Sequence, residues 1–466
     1  LVLEILKKTG LLALTVKRSF LTGISLNRAW TSIPAFEFLY TEELHAKEMV
    51  APTAGVDRLP QGEAPGGAIL KPEPGLFRNV ILFDFKSLYP SIIQTFGIDP
   101  VGFVDVEEGY PEGADPPSSP DHVTAPNGAR FRRSEAILPE LIARFWKNRD
   151  EAKERGDVVA SYVYKIIMNS FYGVLGSPGC RFAGAPLAGA ITGFGQYILH
   201  WARDYVTRAG FRVLYGDTDS LFVLAGEGTD HVFRQGEELC AEVNSALSTF
   251  VEEKFGVTSH LQLEFELVYR RFYLPRIRHA MSGDAESGEV RGRAKGYAGQ
   301  VLTEELRAGE LDIKGMEAIR SDWTAAAGEL QTRLLTMMFA DAAPAEVEEH
   351  IRQTVKRLHS GEMDDKLVYA RRLRKPVESY TKSRPPHVQA ALLLPPDRRE
   401  GTIEYVMTTG GPQPAERRHD PVDYTHYLEK QLRPVAEPIC DVLGIGTADL
   451  FDASQQLSLF SGSREK

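Results

Sequence analysis

A mixed α+β fold with helical appendages is what the sequence predicts, on three observations. Apolar, β-prone runs occur at 79–85 (NVILFDF) and 213–224 (VLYGDTDSLFVL); two long helical patterns meet at a two-residue break, Gly156 and Asp157; and the chain from about 315 onward is mostly helical by pattern. With 466 residues, 43% hydrophobic and 25% charged, the chain can bury a large core and divide into roughly two to four domains.

Taken in order, LVLEILKKTGLLAL opens as an amphipathic helix interrupted by Glu4, Lys7 and Lys8, which excludes a transmembrane span or secretory signal there. No stretch of about 18 apolar residues is found elsewhere, so the reading is cytoplasmic, with no membrane. Cys180, Cys240 and Cys440 lie far apart without CxxC spacing, against a disulfide framework or a zinc site. The first residue is Leu, inside a helical pattern, and the chain reads as a fragment or processed form. Residues 51–78 are rich in Pro and Gly and read as a linker or an extended layer; 107–128 are turn-rich and read as mobile. Pro139 suits the first turn of PELIARFWKNRDEAKER, Gly156 stops it, and Asp157 can cap DVVASYVYKIIMNSFYGVL, which implies an antiparallel helical hairpin. FRVLYG and SLFVL then flank DTD as two strands with a tight turn, and the remainder to about 310 mixes helix and strand around a polar insertion, SGDAESGEVRG.

The charges at the DTD turn need an explanation. Asp217 and Asp219 sit one residue apart in an apolar run, where desolvation and mutual repulsion both act against ionised carboxylates. Asp84 ends the other apolar strand in the same context. Mg2+ takes one or two carboxylates plus substrate phosphates and water, and two such ions about 3.5–4 Å apart can clamp the attacking and leaving oxygens of a displacement at phosphorus. A single Asp in a turn is otherwise a turn former, and a lone DxD also occurs in sugar-nucleotide transferases. On the second helix Lys165, Asn169 and Tyr172 share one face at i, i+4, i+7; on the first, Arg149 and Lys153 are i, i+4. These groups suit a triphosphate; the alternative for Arg149 and Lys153 is pairing with Asp150, Glu151 and Glu154 on a solvated helix. The formal charge of −10 argues against a uniformly basic nucleic-acid binder, yet 352–384 holds ten Lys or Arg against four Asp or Glu, which suits either phosphate tracking or a solvated basic face.

DFKSLYPSII at 84–93, KIIMNSFYG at 165–173 and YGDTDS at 215–220 resemble motifs A, B and C of the family B DNA polymerases, in that order. KGYAG at 295–299 is similar to the family's KKRYAG, with Gly296 in place of a basic residue, and KGMEAIRSDW at 314–323 resembles the start of the thumb. DDKLVYARRLRKPVESY, PPHVQAA, GTIEYV and DYTHYLEKQLRPVAEPI resemble the bacterial branch of the family. The resemblance implies a right-hand polymerase: an N-terminal helical remnant and linker at 1–75, palm at 76–134 and 177–314, fingers at 135–176, thumb at 315–450 and a flexible tail at 451–466. It implies two Mg2+ ions, with Mn2+ as a substitute, on Asp84 and Asp219 and the Phe85 carbonyl; Asp217 is the other motif C acid and Glu266 a nearby third carboxylate. Ser87, Leu88 and Tyr89 would face the triphosphate, with Tyr89 under the sugar excluding a 2'-hydroxyl. Arg149, Lys153, Lys165, Asn169 and Tyr172 would hold or border the nucleotide. Gly173, Lys295, Tyr297, Lys314, Arg371 and Arg372 would contact primer-template DNA.

The resemblance also frames the two ends. The 3'-5' exonuclease acids of the family, a DxE pair or a YxxxD motif, do not precede Asp84, and the expectation is a polymerase module without proofreading. QLSLF at 456–460 resembles the bacterial sliding-clamp pentapeptide, with Gln456, Leu457, Leu459 and Phe460 as anchors on a tail that raises local concentration; the alternative is a casually apolar terminus. Two functions follow: DNA-templated synthesis from dNTPs in replication, repair or translesion synthesis, in the bacterial cytoplasm at the nucleoid, or a DNA- and clamp-binding module with little catalysis.

Overall fold

The computed structural model describes residues 2–451, save 54, 57, 58, 60, 61, 63–65, 108, 112, 113, 118, 135, 227, 229, 230 and 277–293. The polar insertion and the clamp-like pentapeptide lie outside the described residues. The chain divides into two units: Leu1–Leu70 with Ile81–Leu267, and Lys71–Val80 with Val268–Lys466.

The first unit begins with helices α1 (Val2–Thr9), α2 (Leu11–Thr22) and α3 (Ser32–Ala46). Strands β1 (Ile69–Leu70) and β2 (Gly75–Phe85) follow, then α4 (Leu88–Phe96). A small antiparallel sheet of β3 (Phe103–Val106), β4 (His122–Thr124) and β5 (Ala129–Arg132) has the order β3-β5-β4. Within the turn-rich stretch Asp115 accepts from the Tyr197 hydroxyl at 2.7 Å and from the Lys254 ammonium, and just past β5 Arg133 donates to the Phe255 and Gly256 carbonyls.

The helical hairpin forms as the pattern predicts. Helix α5 (Leu138–Glu154) and α6 (Val158–Leu175) flank Gly156 at φ 70, and the Asp157 side chain accepts from the Ala160 amide as an N-cap. Helix α6 corrects one expectation, because by length and composition alone it could cross a membrane. Here it is a core helix: Val163, Ile167, Met168, Phe171 and Val174 are buried in a stripe against α5, α2 and α3. The Lys17 ammonium reaches Asp157 at 2.8 Å, and Arg144 pairs with Glu43, so the N-terminal helices brace the hairpin.

Helix α7 (Ala185–Arg208) leads to β6 (Arg212–Asp217) and β7 (Ser220–Leu224), and α8 (Val232–Phe255) to β8 (Leu263–Leu274). Strand order in this unit is β1-β6-β7-β2-β8, with β1–β6 and β6–β7 antiparallel. Residues 213–224 are thus the predicted hairpin, closing on the pair Asp217 and Ser220. Strand β2 is buried at five consecutive positions, 79–83, and again at Phe85, with Asp84 half-buried between them, as expected of a strand covered on both faces.

In the second unit β8 continues and pairs antiparallel with β9 (Tyr297–Leu302), which pairs with β10 (Ala308–Lys314). Helices α9 (Ala325–Phe339) and α10 (Pro344–His359) follow. The region expected to be mostly helical also holds an antiparallel sheet of β11 (Tyr369–Arg372), β12 (Thr402–Thr408) and β13 (Gly411–Pro414), with α11 (Pro386–Leu392) between the first two. Alternating burial of Ile403 and Tyr405 on β12 is the period-two signal behind it. Leu330, Leu334 and Met338 of α9 are buried in one core with Val435 and Ile439 of α13 (Arg433–Leu443), the short α12 (Tyr424–Tyr427) preceding it.

Candidate active site

Two backbone bonds decide what surrounds Asp84. The Phe85 amide donates to the Asp219 carbonyl at 2.8 Å and the Lys86 amide to the Gln262 carbonyl at 2.9 Å. The end of β2 is therefore pinned to the DTD turn on one side and to the start of β8 on the other. Burial, then Asp219, Glu266 and Glu264, push the Asp84 carboxyl up to about 7, with Lys165 of α6 pulling it down. The carboxylates acting on Asp84 outweigh the Lys165 ammonium that opposes them, which favours a bound cation, since an opposite charge is what relieves such repulsion.

Among the described residues no three His, Cys, Asp or Glu side chains converge tightly enough to enclose an ion unaided. Mg2+ does not require such a group, because it usually takes one or two protein carboxylates and leaves the rest of its shell to water and phosphate. Asp84 and Asp219 fit this role: both are half-buried hard-oxygen donors at strand ends. Asp217 differs, because the Tyr215 and Thr218 hydroxyls donate to its carboxylate at 3.3 and 3.1 Å within its own hairpin. Glu266 is exposed on β8 and acts on Asp84 through its charge. Sequence reasoning missed Glu264, which lies two residues earlier on the same strand face and pairs with Lys86 at 3.5 Å; the period-two spacing of LEFEL was the available signal.

The turn after β2 supplies the complementary charge. Ser87 takes a left-handed conformation, φ 45, and α4 starts at Leu88 without a side-chain cap. First-turn amides at Leu88 and Tyr89 have no intrahelical carbonyl to reach, the arrangement that binds anions at helix N-termini. The Tyr89 ring lies 4.5 Å from that of Tyr172 on α6, and burial, then Tyr172, Asp219 and Asp217, push its phenol up to about 12. Lys165, Asn169 and Gly173 form the exposed face of α6, opposite its buried stripe. Arg149 and Lys153 part company: Lys153 pairs with Asp150 at 3.3 Å, as on a solvated helix, whereas the Arg149 Nε is buried without a hydrogen-bond partner among the described residues.

The model of DNA polymerase family B matches residues 32–279 and 292–443. The chain belongs to DNA polymerase family B. It is 38% identical, over 99% of its length, to DNA polymerase II of Escherichia coli, 57% of which it covers. It is also 28% identical to DNA polymerase 2 of Aeropyrum pernix over 87% of the chain and 48% of that protein. Among solved structures, the family B DNA polymerase of Pyrobaculum calidifontis superposes with a TM-score of 0.61 at 26% identity, covering 96% of this chain and 55% of that one. The chain thus spans about half the length of the curated relatives it matches, and its likeness to the bacterial branch of family B agrees with the motifs of its C-terminal half.

The second unit brings together the remaining family B motif residues. Tyr297 pairs directly with Lys314 across β9 and β10. Lys295 takes φ 59, and Gly315, at φ 60, lies so close to the Lys295 carbonyl that a Cβ would overlap it. KGYAG and KGMEA therefore meet at one end of a hairpin although they are separated in sequence. Lys314 pairs with Asp312 at 3.1 Å, and the Tyr269 hydroxyl donates to the same Asp312 at 2.7 Å. Arg371 and Arg372 project from β11 rather than from a helix face; Arg371 pairs with Asp322 at 3.3 Å, and Arg372 is exposed beside it. Gln456, Leu457, Leu459 and Phe460 lie outside the described residues.

Proposed function

We propose that this chain carries out DNA-templated DNA synthesis, transferring the nucleotidyl group of a dNTP to a primer 3'-hydroxyl. The observation that carries the reading is the placing of Asp84 and Asp219 at adjacent strand ends, where the carboxylates around Asp84 outweigh the Lys165 ammonium that acts on it. Asp84 and Asp219, with the Phe85 carbonyl, would hold Mg2+; Glu266 would add negative potential and Asp217 would shape the turn. Two such ions, or Mn2+ in their place, supply Lewis-acid stabilisation of charge on the phosphoryl oxygens. The chain's own groups position the reactants: amides of 87–89 and the cations Lys165 and Arg149 neutralise triphosphate oxygens, Asn169 orients them, and Tyr172 borders the nascent pair. Lys153, already paired with Asp150, would act at most as a longer-range charge.

Residues 135–176 would serve as fingers, 76–134 and 177–314 as palm, and 315–450 as thumb. Gly173, Lys295, Tyr297, Lys314, Arg371 and Arg372 would line the primer-template path. The reading assigns no proofreading to these 466 residues and places the work in replication or repair, at the bacterial nucleoid. Extension of a labelled primer-template with Mg2+ and four dNTPs tests it; synthesis that fails to follow the template, or persists undiminished after chelation by EDTA, would sink the reading.

Two further outcomes are expected. Tyr89→Val removes the ring that packs on Tyr172 and opens space beneath the sugar, so ribonucleotide use relative to deoxyribonucleotide should rise roughly ten- to hundredfold; an unchanged preference in single-nucleotide insertion kinetics would refute the steric role. The QLSLF tail would tether the chain to a bacterial sliding clamp. Phe460→Ala should abolish clamp-stimulated extension while clamp-free extension stays as in the parent chain, and stimulation that survives the substitution would remove the clamp from the reading.

A further inference from the structure

We infer that residues 66–70 form a strap that sets the geometry of the 217–219 turn, with Gly67 and Gln196 as positioning residues; the inference rests on the assignment of that turn to catalysis. The Pro- and Gly-rich stretch is not a mere connection at this point. Strand β1 pairs antiparallel with β6, Ile69 opposite Asp217 and Leu70 opposite Gly216. The amide of Thr218, at the centre of DTD, donates to the Ala68 carbonyl at 2.7 Å. One residue pair further out, the Gln196 side-chain amide of α7 donates to the Gly66 carbonyl at 2.6 Å and ties the strap down.

The turn needs an external hold because of Thr218. This β-branched residue adopts φ 59, a left-handed conformation that is disfavoured for branched side chains and persists only where the surroundings over-determine it. Its hydroxyl donates to Asp217 at 3.1 Å, and the Asp219 amide donates to the Asp217 carbonyl at 2.6 Å. Rotation at Thr218 would therefore move both carboxylates. Strand β2 holds the turn from one side, through the Phe85 amide on the Asp219 carbonyl. The strap holds it from the other.

Two glycines make the fit possible. A Cβ on Gly67 would stand 2.6 Å from the Thr218 hydroxyl oxygen and 2.8 Å from its methyl carbon. A Cβ on Gly216 would stand 2.7 Å from a Leu70 methyl and 2.9 Å from the Ser220 carbonyl oxygen. Strap and turn thus meet at distances that no side chain between them tolerates.

The test compares the full chain with Gly67→Ala, with Gly67→Ala combined with Thr218→Gly, and with Gln196→Ala. Primer-extension kinetics, primer-template affinity and backbone hydrogen exchange over 213–224 are measured for each. Gly67→Ala should lower kcat roughly ten- to hundredfold, the scale of a small misplacement of reacting groups, with primer-template Kd within about twofold and faster exchange at the turn. Adding Thr218→Gly removes the clashing side chain and supplies a residue suited to positive φ, so it should restore most of the loss and of the exchange protection. Gln196→Ala leaves the strap's packing intact and should give a smaller change in the same direction, which guards against misfolding of the glycine variant. Unchanged exchange and kcat in both single variants, or a loss that Thr218→Gly fails to rescue, would overturn the strap. Exchange reads the strap without catalysis: should the parent chain fail to extend primers, the proposed function falls while the exchange shift still decides this inference.

Discussion

Asp219→Asn should lower templated extension by about a thousandfold or more, roughly 4 kcal/mol of transition-state stabilisation, with primer-template affinity within about twofold. Asparagine keeps the size of the side chain and the backbone bond from the Phe85 amide to the residue 219 carbonyl, so the loss isolates the charge. Asp217→Asn offers the contrast. Its carboxylate is already engaged by the Tyr215 and Thr218 hydroxyls, and one oxygen of an amide can still accept, so its loss should be much smaller than that of Asp219→Asn. Equal extension by the Asp219→Asn variant and the parent chain would remove Asp219 from the site and the proposed function with it.

The same substitution should raise the stability of the metal-free chain, by about 1 kcal/mol. After burial, Asp219 is the largest influence raising the Asp84 carboxyl, and neutralising it relieves that repulsion. A thermal melt in EDTA checks this. Loss of activity with gain of stability marks a group kept for its chemistry, whereas parallel loss of both would mark a structural residue.

How much of this was legible beforehand differs by kind of residue. The hairpin at 213–224 and the helical pair with its Asp157 cap follow from local patterns of alternation, capping and turn chemistry, whereas the meeting of Asp84 with Asp219, 135 positions apart, was implied only by the resemblance of their motifs to those of family B. Glu264 was half-legible, since LEFEL carries its spacing but nothing in the sequence says that β8 lies next to β2. The strap at 66–70 was not legible: GGAIL is too short and too glycine-rich to announce a strand, and its partner at 216–217 is distant in sequence. Arg149 and Lys153 looked equivalent at i, i+4, and the pairing of Lys153 with Asp150 and the burial of the Arg149 Nε, neither of which the spacing shows, separate them. The sheet formed by 369–414 was hidden among helical neighbours because its strands are short and β11 is exposed at three of its four residues.

Asp99→Ala and Asp99→Asn should both destabilise the first unit, by on the order of 3–5 kcal/mol, seen as a fall of roughly 10 °C in its melting transition. In sequence, GIDP reads as a turn with Asp99 ahead of Pro100. In the structure Asp99 is fully buried and five donors converge on it. One carboxylate oxygen accepts from the Tyr40 hydroxyl at 2.8 Å and from the Val101 and Gly102 amides at 2.7 and 3.2 Å. The other accepts from the Ile137 and Leu138 amides at 3.0 and 2.5 Å, at the N-terminus of α5. A single side chain thereby joins α3, the exit from α4 and the start of the helical hairpin that carries Arg149 and Lys165. Burial raises the carboxyl above its ordinary range, and the Leu138, Tyr40, Val101 and Gly102 donors pull it back. Alanine leaves all five donors unsatisfied at about 1–3 kcal/mol each before relaxation. Asparagine is the informative change, because every group facing Asp99 is a donor and a carboxylate is acceptor-only. Whichever way the amide is placed, its NH2 meets at least two N–H groups. The isosteric variant should therefore lose nearly as much as alanine, and a melt of Asp99→Asn indistinguishable from the parent chain would refute the acceptor role. Since α5 hangs from this carboxylate, both variants should also raise the dNTP KM of whatever folded protein remains, as Arg149 and Lys165 lose their fixed distance to the 87–89 turn.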